Sequence, residues 1–393
     1  MTQDLRIAVV GGGIAGLTLA AALLRLGLRC QVYERAPQLH EVGAGIQLSP
    51  NAVRPLRALG LGGRLEAVAV RPAGIEMRRW NTGALLIRTP LGEQCEALYG
   101  APYYTAHRAD LHRGLLDLLP PGIVRLGMHC VGLTDRVDGV ELSFDDGSAA
   151  TADVVIGADG IHSVIREALV ADEPRFSGQA VYRGLAPADR LPHLVREPKV
   201  TIWLGPGQHI VCYPISGGRL VSFVATTPAG QWRDESWTTP GRVEDVVASY
   251  TAWNDDVWQV LTAADSVTRW ALHDRDTIED WSRGRVTLLG DAAHPMLPFG
   301  AQGANQAIED AVALAACLAT ATRDSVPVAL KRYADVRAPR TELVHRTVRA
   351  NARNHHFADG EDQQDRDRNM TDRWGLESMA WLYGYDAELA MAA

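Results

Sequence analysis

The sequence is short of several features that would assign it to other classes of protein. Its 393 residues include only two lysines, Lys199 and Lys331, and their formal net charge is −8. No cluster of basic side chains occurs, although proteins that bind nucleic acid or lipid headgroups usually carry one. We therefore expect neither a nucleic acid nor a membrane as partner.

Cysteine is also scarce, and its distribution excludes two kinds of site. The five cysteines are scattered and no Cys-x-x-Cys pair occurs. An odd number of isolated cysteines predicts neither a disulfide framework nor a zinc centre, and is typical of reduced thiols in a cytoplasm. We expect each cysteine to be a small buried side chain, with no metal site and a cytoplasmic location.

One apolar run, residues 7–24, is long enough to resemble a membrane span. It lacks the basic segment that precedes a signal peptide, its glycines are clustered, and Arg25 follows at once. We interpret this run as a buried strand, a tight turn and a helix.

The turn within this run carries the first motif. Gly11, Gly13 and Gly16 form a Gly-x-Gly-x-x-Gly pattern between a strand predicted at residues 6–10 and a helix predicted at 14–26. Such glycines permit a tight turn, close approach of a pyrophosphate and close helix packing. Glu34 ends the next predicted strand, where a carboxylate can accept hydrogen bonds from ribose. The pattern predicts a dinucleotide site without separating FAD from NAD.

Two later motifs repeat this arrangement of a strand followed by an acid. Residues 153–166 give a strand that ends near Asp159, and residues 285–303 give a strand that ends near Asp291. The carboxyl ends of parallel strands are where α/β sheets bind ligands. The alternative for both acids is simple capping of the following helix.

The remaining chain alternates between strand-rich and helical stretches. Residues 71–104 show no clear helical period, residues 302–319 and 329–349 are predicted helices, and residues 359–372 are predicted to be a charged, exposed connector. The strand-rich stretch 176–270 holds six tryptophans, of which one or two are expected to line a ligand cavity: Trp203, Trp232, Trp237, Trp253, Trp258 and Trp270.

With these three motifs in this order, the sequence resembles the single-component flavin hydroxylases of the para-hydroxybenzoate hydroxylase type. Segments such as Gly43-Ala44-Gly45-Ile46 and Tyr383-Gly384-Tyr385-Asp386 are most similar to 6-hydroxynicotinate 3-monooxygenases, and salicylate hydroxylases are also similar. The resemblance implies an α/β fold in which a Rossmann-like FAD-binding domain (1–70, 105–175 and 275–340) is interleaved with a mixed β-sheet substrate domain (71–104 and 176–274). C-terminal helices (341–393) follow.

The resemblance also implies which residues hold FAD. The ADP half falls to the glycine turn and the next strand end, Asp159 and Arg166 support the pyrophosphate and the nicotinamide route, and Asp291 bonds the ribityl chain. A helix N-terminus at residues 298–305 would stabilise the anionic reduced flavin ring. The full set of implied cofactor residues is Gly11, Gly13, Ala15, Gly16, Glu34, Arg35, Arg108, Val131, Asp159, Arg166, Asp291, Gly303 and Ala304.

The implied reaction is hydroxylation of a small phenolic, benzoate-type or pyridine-type ring. NADH or NADPH would reduce the flavin, and O2 would add at its C4a carbon to form a hydroperoxide that attacks the ring. A base beside a ring hydroxyl would make the ring more nucleophilic. His209 and Tyr213 alternate along a predicted strand, so they share one face, and the resemblance implies that both line the substrate site.

Three further residues are relevant to the identity of the substrate and of the base. Where the hydroxynicotinate enzymes have a histidine, this chain has Gln47, which hydrogen-bonds but takes no proton at neutral pH. Hydroxynicotinate itself is therefore not expected. Arg183 is either a carboxylate ligand or, as we favour, a structural residue. His294 is a secondary candidate for a base.

Other functions remain compatible with the motifs. A flavin reductase or oxidoreductase on the same fold, acting in natural-product tailoring, is the main alternative. A halogenase is disfavoured because its Trp-x-Trp-x-Ile-Pro motif is absent, and a non-enzymatic carrier is disfavoured by the intact cofactor motifs. The aromatic C-terminal segment could also join two copies of the chain as a homodimer.

Overall fold

The computed structural model describes residues 5–39, 44–232 and 239–392, so Gly43 and Trp237 lie outside the described residues. The strands are β1 (Ile7–Val10), β2 (Cys30–Glu34), β3 (Gly45–Leu48), β4 (Gly74–Arg79), β5 (Leu85–Pro90), β6 (Tyr104–His107), β7 (Val124–Leu126), β8 (Cys130–Arg136), β9 (Gly139–Phe144), β10 (Ala149–Ala152), β11 (Val154–Gly157), β12 (Arg175–Pro187), β13 (Val200–Gly205), β14 (Gln208–Ile215), β15 (Leu220–Pro228), β16 (Pro240–Gly241), β17 (Val267–Asp274), β18 (Ser282–Arg283) and β19 (Val286–Leu288).

The helices connect and cover these strands. They are α1 (Ile14–Arg25), α2 (Pro50–Ala58), α3 (Gly62–Val68), α4 (Gly92–Tyr99), α5 (Arg108–Asp117), α6 (Val164–Glu167), α7 (Pro192–Val195), α8 (Val243–Ser249), α9 (Asp255–Thr262), α10 (Gly303–Leu318), α11 (Val326–His355), α12 (Glu361–Arg368), α13 (Met370–Trp374), α14 (Ala380–Tyr383) and α15 (Ala387–Ala392).

A six-stranded, mainly parallel sheet has the order β18-β19-β11-β1-β2-β7. Its central strands β1 and β11 are buried along their whole length, because both faces of a parallel sheet are covered and Val/Ile runs suit that position. β1 runs parallel to β11, and β11 runs parallel to β19. The loops after these three strands, which carry the three sequence motifs, therefore meet at one edge of the sheet.

Helices α1 and α10 lie together against this sheet. All but three of the sixteen residues of α10 are buried, and many of them are alanines. Small side chains let the two helices approach closely, and leucines of both helices complete the core. The N-termini of α1 and α10 consequently lie near the same sheet edge.

An eight-stranded sheet has the order β16-β17-β12-β15-β14-β13-β4-β5 and is antiparallel except where β13 meets β4. Side chains alternate between the two faces of this sheet. Arg183 on β12 lies opposite Val224 on β15, and Val224 lies opposite Val211 on β14, so these three side chains share one face. Near the edge of this sheet, Nζ of Lys199 donates a hydrogen bond to Oε1 of the buried Glu76 at 3.0 Å.

A two-stranded sheet of β3 and β6 joins these larger sheets. Thr105 on β6 donates to the Pro214 carbonyl of β14 at 2.6 Å, and the Gly45 amide donates to Ser222 of β15 at 3.0 Å. β6 leads directly into α5, whose first residue is Arg108. The small sheet therefore carries Gln47 and Arg108 to the region between the two large sheets.

Two sequence predictions about secondary structure were wrong. Residues 71–104 do contain a helix, α4, because Leu91, Cys95 and Tyr99 recur every fourth residue and are all buried. The charged stretch 359–372 is also helical, as α12 and part of α13. Its charges are held in ion pairs, such as Arg79 with Asp367 at 3.0 Å.

Among the described residues, no helix combines the length and the apolar character needed to cross a membrane.

Candidate active site

A cavity of about 350 Å³ opens between the six-stranded and eight-stranded sheets. Residues 45–47 of β3 line it, loops and helix ends within residues 158–161 and 295–307 also contribute, and β12, β14, β15 and β17 contribute one sheet face. Nine of the residues predicted from the sequence line it: Gly13, Ala15, Gln47, Arg108, His209, Tyr213, Asp291, Gly303 and Ala304.

The glycine turn forms one end of this cavity. Gly11 has a φ of +110°, and a Cβ atom there would lie 2.3 Å from the Ala158 carbonyl oxygen. A Cβ on Gly16 would lie 2.0 Å from the Gly11 carbonyl oxygen, whereas one on Gly13 would meet nothing within 4 Å. Gly11 and Gly16 are thus required by the protein's own packing, and Gly13 leaves open space for a ligand.

The helix that follows this turn is not capped by a side chain. Gly13 is the N-cap of α1 and provides no side-chain hydrogen bond. The first N–H groups of a helix lack partners within it and carry a partial positive charge. The turn is therefore built to receive an anion, and a pyrophosphate fits this arrangement.

Glu34 stabilises the turn from the side. Its carboxylate accepts hydrogen bonds from the Gly12 amide at 2.6 Å and from the Ala36 amide at 2.8 Å. Its oxygens retain further lone pairs for ribose hydroxyls. The neighbouring Arg35 is exposed and does not line the cavity.

Asp291 and the N-terminus of α10 form the middle of the cavity. Asp291 follows β19 and lines the cavity, with its side chain open to the cavity space. Desolvation by the surrounding protein raises the pKa of its carboxyl, although His294 and Arg108 oppose the change. The N-cap of α10, Gln302, makes no side-chain capping bond. This helix end therefore presents free N–H groups beside Gly303 to an electron-rich ring edge.

Besides Gly11, Gly16, Glu34 and Arg35, three more predicted cofactor residues do not line the cavity. Asp159 caps α6, since it accepts from Ser163 Oγ at 2.5 Å and from the Val164 amide at 2.8 Å. Arg166 is fully buried and donates to the Ala292 and Ala293 carbonyls, so it acts on the loop beside Asp291. Val131 is 50% exposed on β8.

The substrate end of the cavity is formed by the face of the eight-stranded sheet. His209, Val211 and Tyr213 line it together from β14, as their alternation predicts. The Tyr103 hydroxyl donates to Gln47 Oε1 at 2.8 Å, which leaves the amide N–H groups of Gln47 for other partners. Burial raises the pKa of Tyr213, so it stays a hydroxyl donor at neutral pH although Arg183, Ser222 and Gln47 oppose the change.

Arg183 also lines this end, although we favoured a structural role for it from the sequence. Its guanidinium carbon lies 4.5 Å from the centre of the Trp270 ring. Among the five tryptophans of this stretch that the structure describes, Trp270 is the one that lines the cavity. Burial lowers the pKa of Arg183 to about 10, so the side chain remains charged at neutral pH. It supplies a cation to a largely apolar pocket.

His209 belongs to a group of histidines that the sequence did not predict. Its Nδ1 lies 2.8 Å from Nε2 of His356, and its ring centre lies 5.1 Å from that of His355. Burial, together with His356 and His355, lowers the pKa of His209 well below its usual range. The one adjacent histidine pair in the sequence was the available signal.

His294 is not placed for base chemistry on a ligand. Its Nε2 lies 2.5 Å from Asp310 Oδ2, and its side chain is buried away from the cavity. It holds the loop after β19 instead.

The comparison with known proteins assigns this architecture. The FAD binding domain family matches residues 4–348. The chain belongs to this family. One relative of this chain, a 3-amino-4-hydroxybenzoate 2-monooxygenase of Streptomyces platensis, is 53% identical to it, covering 98% of this chain and 97% of that protein. The 6-hydroxynicotinate 3-monooxygenase of Pseudomonas fluorescens is 36% identical, covering 88% and 91%.

A solved salicylate hydroxylase, in complex with its substrate, has the same fold as this FAD-binding family member. It superposes with a TM-score of 0.84 at 31% identity, covering 99% of this chain and 97% of that one. The predictions of an interleaved α/β fold, an FAD-dependent monooxygenase, FAD as cofactor and activity on an aromatic ring are confirmed. The homodimer and the cytoplasmic location stay predictions.

Proposed function

We propose that the chain hydroxylates 3-amino-4-hydroxybenzoate at C2, with FAD as cofactor and NADH or NADPH as electron donor. The observation that carries this proposal is a cavity that joins a nucleotide cradle to a pocket lined by the cation Arg183 and by three neutral polar groups, Gln47, His209 and Tyr213. A second arginine, Arg108, also lines the cavity. A relative named for this reaction is 53% identical over nearly the whole chain.

Arg183 is the proposed ligand of the substrate carboxylate. Burial disfavours its charge and lowers its pKa to about 10, and a bound anion would stabilise the charged form. A guanidinium binds a carboxylate through two parallel hydrogen bonds. The stacking of Arg183 on Trp270 holds the guanidinium plane in one orientation.

Tyr213 and Gln47 are the proposed ligands of the ring hydroxyl. Tyr213 keeps its proton at neutral pH, and Gln47 has N–H groups left over after its contact with Tyr103. Both are hydrogen-bond donors that remain neutral, so they orient a hydroxyl oxygen without taking its proton.

The amino group determines where the ring is reactive. C2 is adjacent to the carbon that carries the amino group, whose nitrogen lone pair raises electron density at C2, whereas the hydroxyl group at C4 is meta to C2. A neutral imidazole accepts an N–H hydrogen bond and favours the donating form of nitrogen. His209, whose pKa is lowered, suits this task.

The cradle for FAD consists of the residues at the three strand ends. Gly13 with the α1 N-terminus would hold the pyrophosphate, Glu34 the ribose, and Asp291 the ribityl chain. Gly303 and Ala304 would contact the ring edge. When bound, FAD supplies oxygen activation and transfers one oxygen atom, and the apolar sheet face keeps water from the ring.

The test is coupled turnover of the FAD-loaded protein with 3-amino-4-hydroxybenzoate. Oxidation of NADH or NADPH should produce 3-amino-2,4-dihydroxybenzoate, with the new oxygen atom labelled when ¹⁸O2 is supplied. 4-Hydroxybenzoate, which lacks the amino group, should be hydroxylated little or not at all. Nicotinamide oxidation that yields only hydrogen peroxide with the aminohydroxybenzoate would refute the proposal and favour the reductase alternative.

A further inference from the structure

A pair of hydrogen-bonded histidines runs from the cavity toward the protein surface. His209 lines the cavity, and its Nδ1 lies 2.8 Å from Nε2 of His356. His356 follows the last residue of α11, is only partly buried, and accepts the Gly207 amide at its carbonyl at 3.0 Å. The pair therefore joins the substrate pocket to a side chain that solvent reaches.

The hydrogen bonds around His209 determine which ring nitrogen faces the ligand. Nδ1 is taken by His356 and by a 3.2 Å contact with Thr226, whose own hydroxyl proton goes to the His209 carbonyl. Nε2 is thus the nitrogen left for a ligand. An imidazole that accepts a proton at one nitrogen can release another from its second nitrogen.

The surroundings of the pair favour passage of a proton over its retention. Burial lowers the pKa of His356 to about 4, and the pKa of His209 is also well below its usual range. Titratable neighbours include Tyr250, whose hydroxyl donates to the His209 carbonyl at 2.9 Å. They also include His355 and, behind it, Arg366, which is paired with Asp367 at 2.7 Å. Phe299 is an aromatic neighbour, whose ring centre lies 5.2 Å from that of His209.

We propose that His356 is the outer member of a two-histidine relay that carries a proton from the substrate, through His209, to solvent. This inference rests on the proposed function. At attack, the ring gives an electron pair to the new C2–O bond, and the amino nitrogen becomes positively charged. The O–O bond of the oxygen donor breaks at the same time, and the oxygen that leaves keeps that electron pair and takes up one proton, which balances the proton that the ring loses. The nitrogen loses a proton to His209 Nε2, and its N–H electron pair stays on nitrogen.

The remaining transfers complete the relay. His209 passes its Nδ1 proton to His356 Nε2, and His356 releases its Nδ1 proton to water. The hydrogen on C2 then leaves as a proton and one proton returns to nitrogen, so each turnover releases one proton from the ring. No oxidant is needed beyond the oxygen atom of the hydroxylation itself.

The relay is tested in the FAD-loaded enzyme with the variants His356→Gln and His356→Ala. Product formation in a single turnover should fall about 100-fold, the low end of proton-transfer catalysis, whereas flavin reduction by NADH or NADPH should not change. His129→Gln changes an exposed histidine that lies outside the sequence motifs, and it serves as the control for the loss of a histidine.

Chemical rescue separates proton transfer from packing. Because His356 is partly exposed, added imidazole should restore turnover to His356→Ala, and the more basic 4-methylimidazole should restore more. A His356→Gln enzyme with the wild-type rate and solvent isotope effect would overturn the relay, as would a folded, FAD-loaded His356→Ala enzyme that imidazole does not accelerate. The wild-type product tests the proposed function separately, since the variants are judged only as ratios to wild type.

Discussion

At the scale of single residues, the three glycines of the first turn differ in what requires them. Gly16 is required by the protein, because a Cβ there would lie 2.0 Å from a backbone oxygen, whereas Gly13 has open space beside it. The sequence motif assigns close helix packing to Gly16 and approach of a pyrophosphate to Gly13, and the space beside each glycine is compatible with that assignment.

This difference predicts opposite outcomes for two substitutions. Gly16→Ala should lower the free energy of unfolding by about 1–3 kcal/mol through overpacking. Gly13→Asp should keep its stability, because Asp is a good N-cap, but should lose FAD because its carboxylate repels the pyrophosphate. Chemical denaturation and visible flavin absorbance measure the two effects. A Gly13→Asp protein that retains FAD would contradict this account.

Arg183 gives a second prediction at this scale. Arg183→Met should weaken binding of 3-amino-4-hydroxybenzoate by roughly 10- to 100-fold, since a hydrogen bond to a charged group contributes about 1.5–3 kcal/mol. The wild type should prefer the acid over 3-amino-4-hydroxybenzamide, and the variant should lose that preference. Titration with both ligands provides the measurement, and equal loss of affinity for acid and amide would argue for a structural role.

At the scale of elements, α10 and α11 are joined by buried charges. Arg337 on α11 contacts Glu309 at 2.6 Å and Asp310 at 2.7 Å, and all three side chains are inaccessible to solvent. Burial would raise the pKa of Asp310, but His294 and Arg337 together outweigh burial and lower it. Asp310 also accepts from the Gly290 amide at 3.2 Å, next to Asp291.

Removal of this arginine should therefore affect both stability and the cofactor site. Arg337→Met should lower the free energy of unfolding by about 3–5 kcal/mol, because two buried carboxylates lose the arginine that they share, although Arg340 and His294 remain beside them. Lys331→Ala, which breaks the exposed Lys331–Asp335 pair on the same helix, should have almost no effect. Urea denaturation of both variants measures the difference, and comparable losses in the two would contradict the prediction.

The end of α11 makes stability depend on pH. Burial, His356 and Arg366 lower the pKa of His355 to about 3, whereas an unfolded histidine titrates near 6.5. Below about pH 6.5 the unfolded state therefore binds a proton that the folded state refuses, and stability falls as pH drops. His355→Phe should reduce the slope of the free energy of unfolding against pH by up to about 1.4 kcal/mol per pH unit. Denaturation between pH 6 and about 4 provides the measurement.

Most elements could be predicted from the sequence, and the exceptions have physical causes. The strand β14 and helix α10 follow from alternation and from alanine content. α4 was missed because its four-residue period is short and lies among strands, and α12 because its stability comes from ion pairs such as Arg79–Asp367. Local patterns contain no information about such distant partners.

At the scale of the whole molecule, the site exists because two sheets meet. Gln47, Arg183, His209 and Asp291 lie far apart in the sequence and line one cavity. The strand ends could be predicted from the motifs, and the predicted site residues include nine of the residues that line the cavity. His356 could not be predicted, because its role depends on where α11 ends relative to β14.

The unequal surroundings of the two lysines have a practical consequence. The Lys331 side chain is 72% exposed on α11, whereas Lys199 is 17% exposed and bonded to Glu76. Of these two side chains, amine-reactive dyes and coupling resins should therefore attach mainly to Lys331. Neither lysine lines the cavity, so the enzyme should tolerate immobilisation on a solid support through a nearly uniform attachment point.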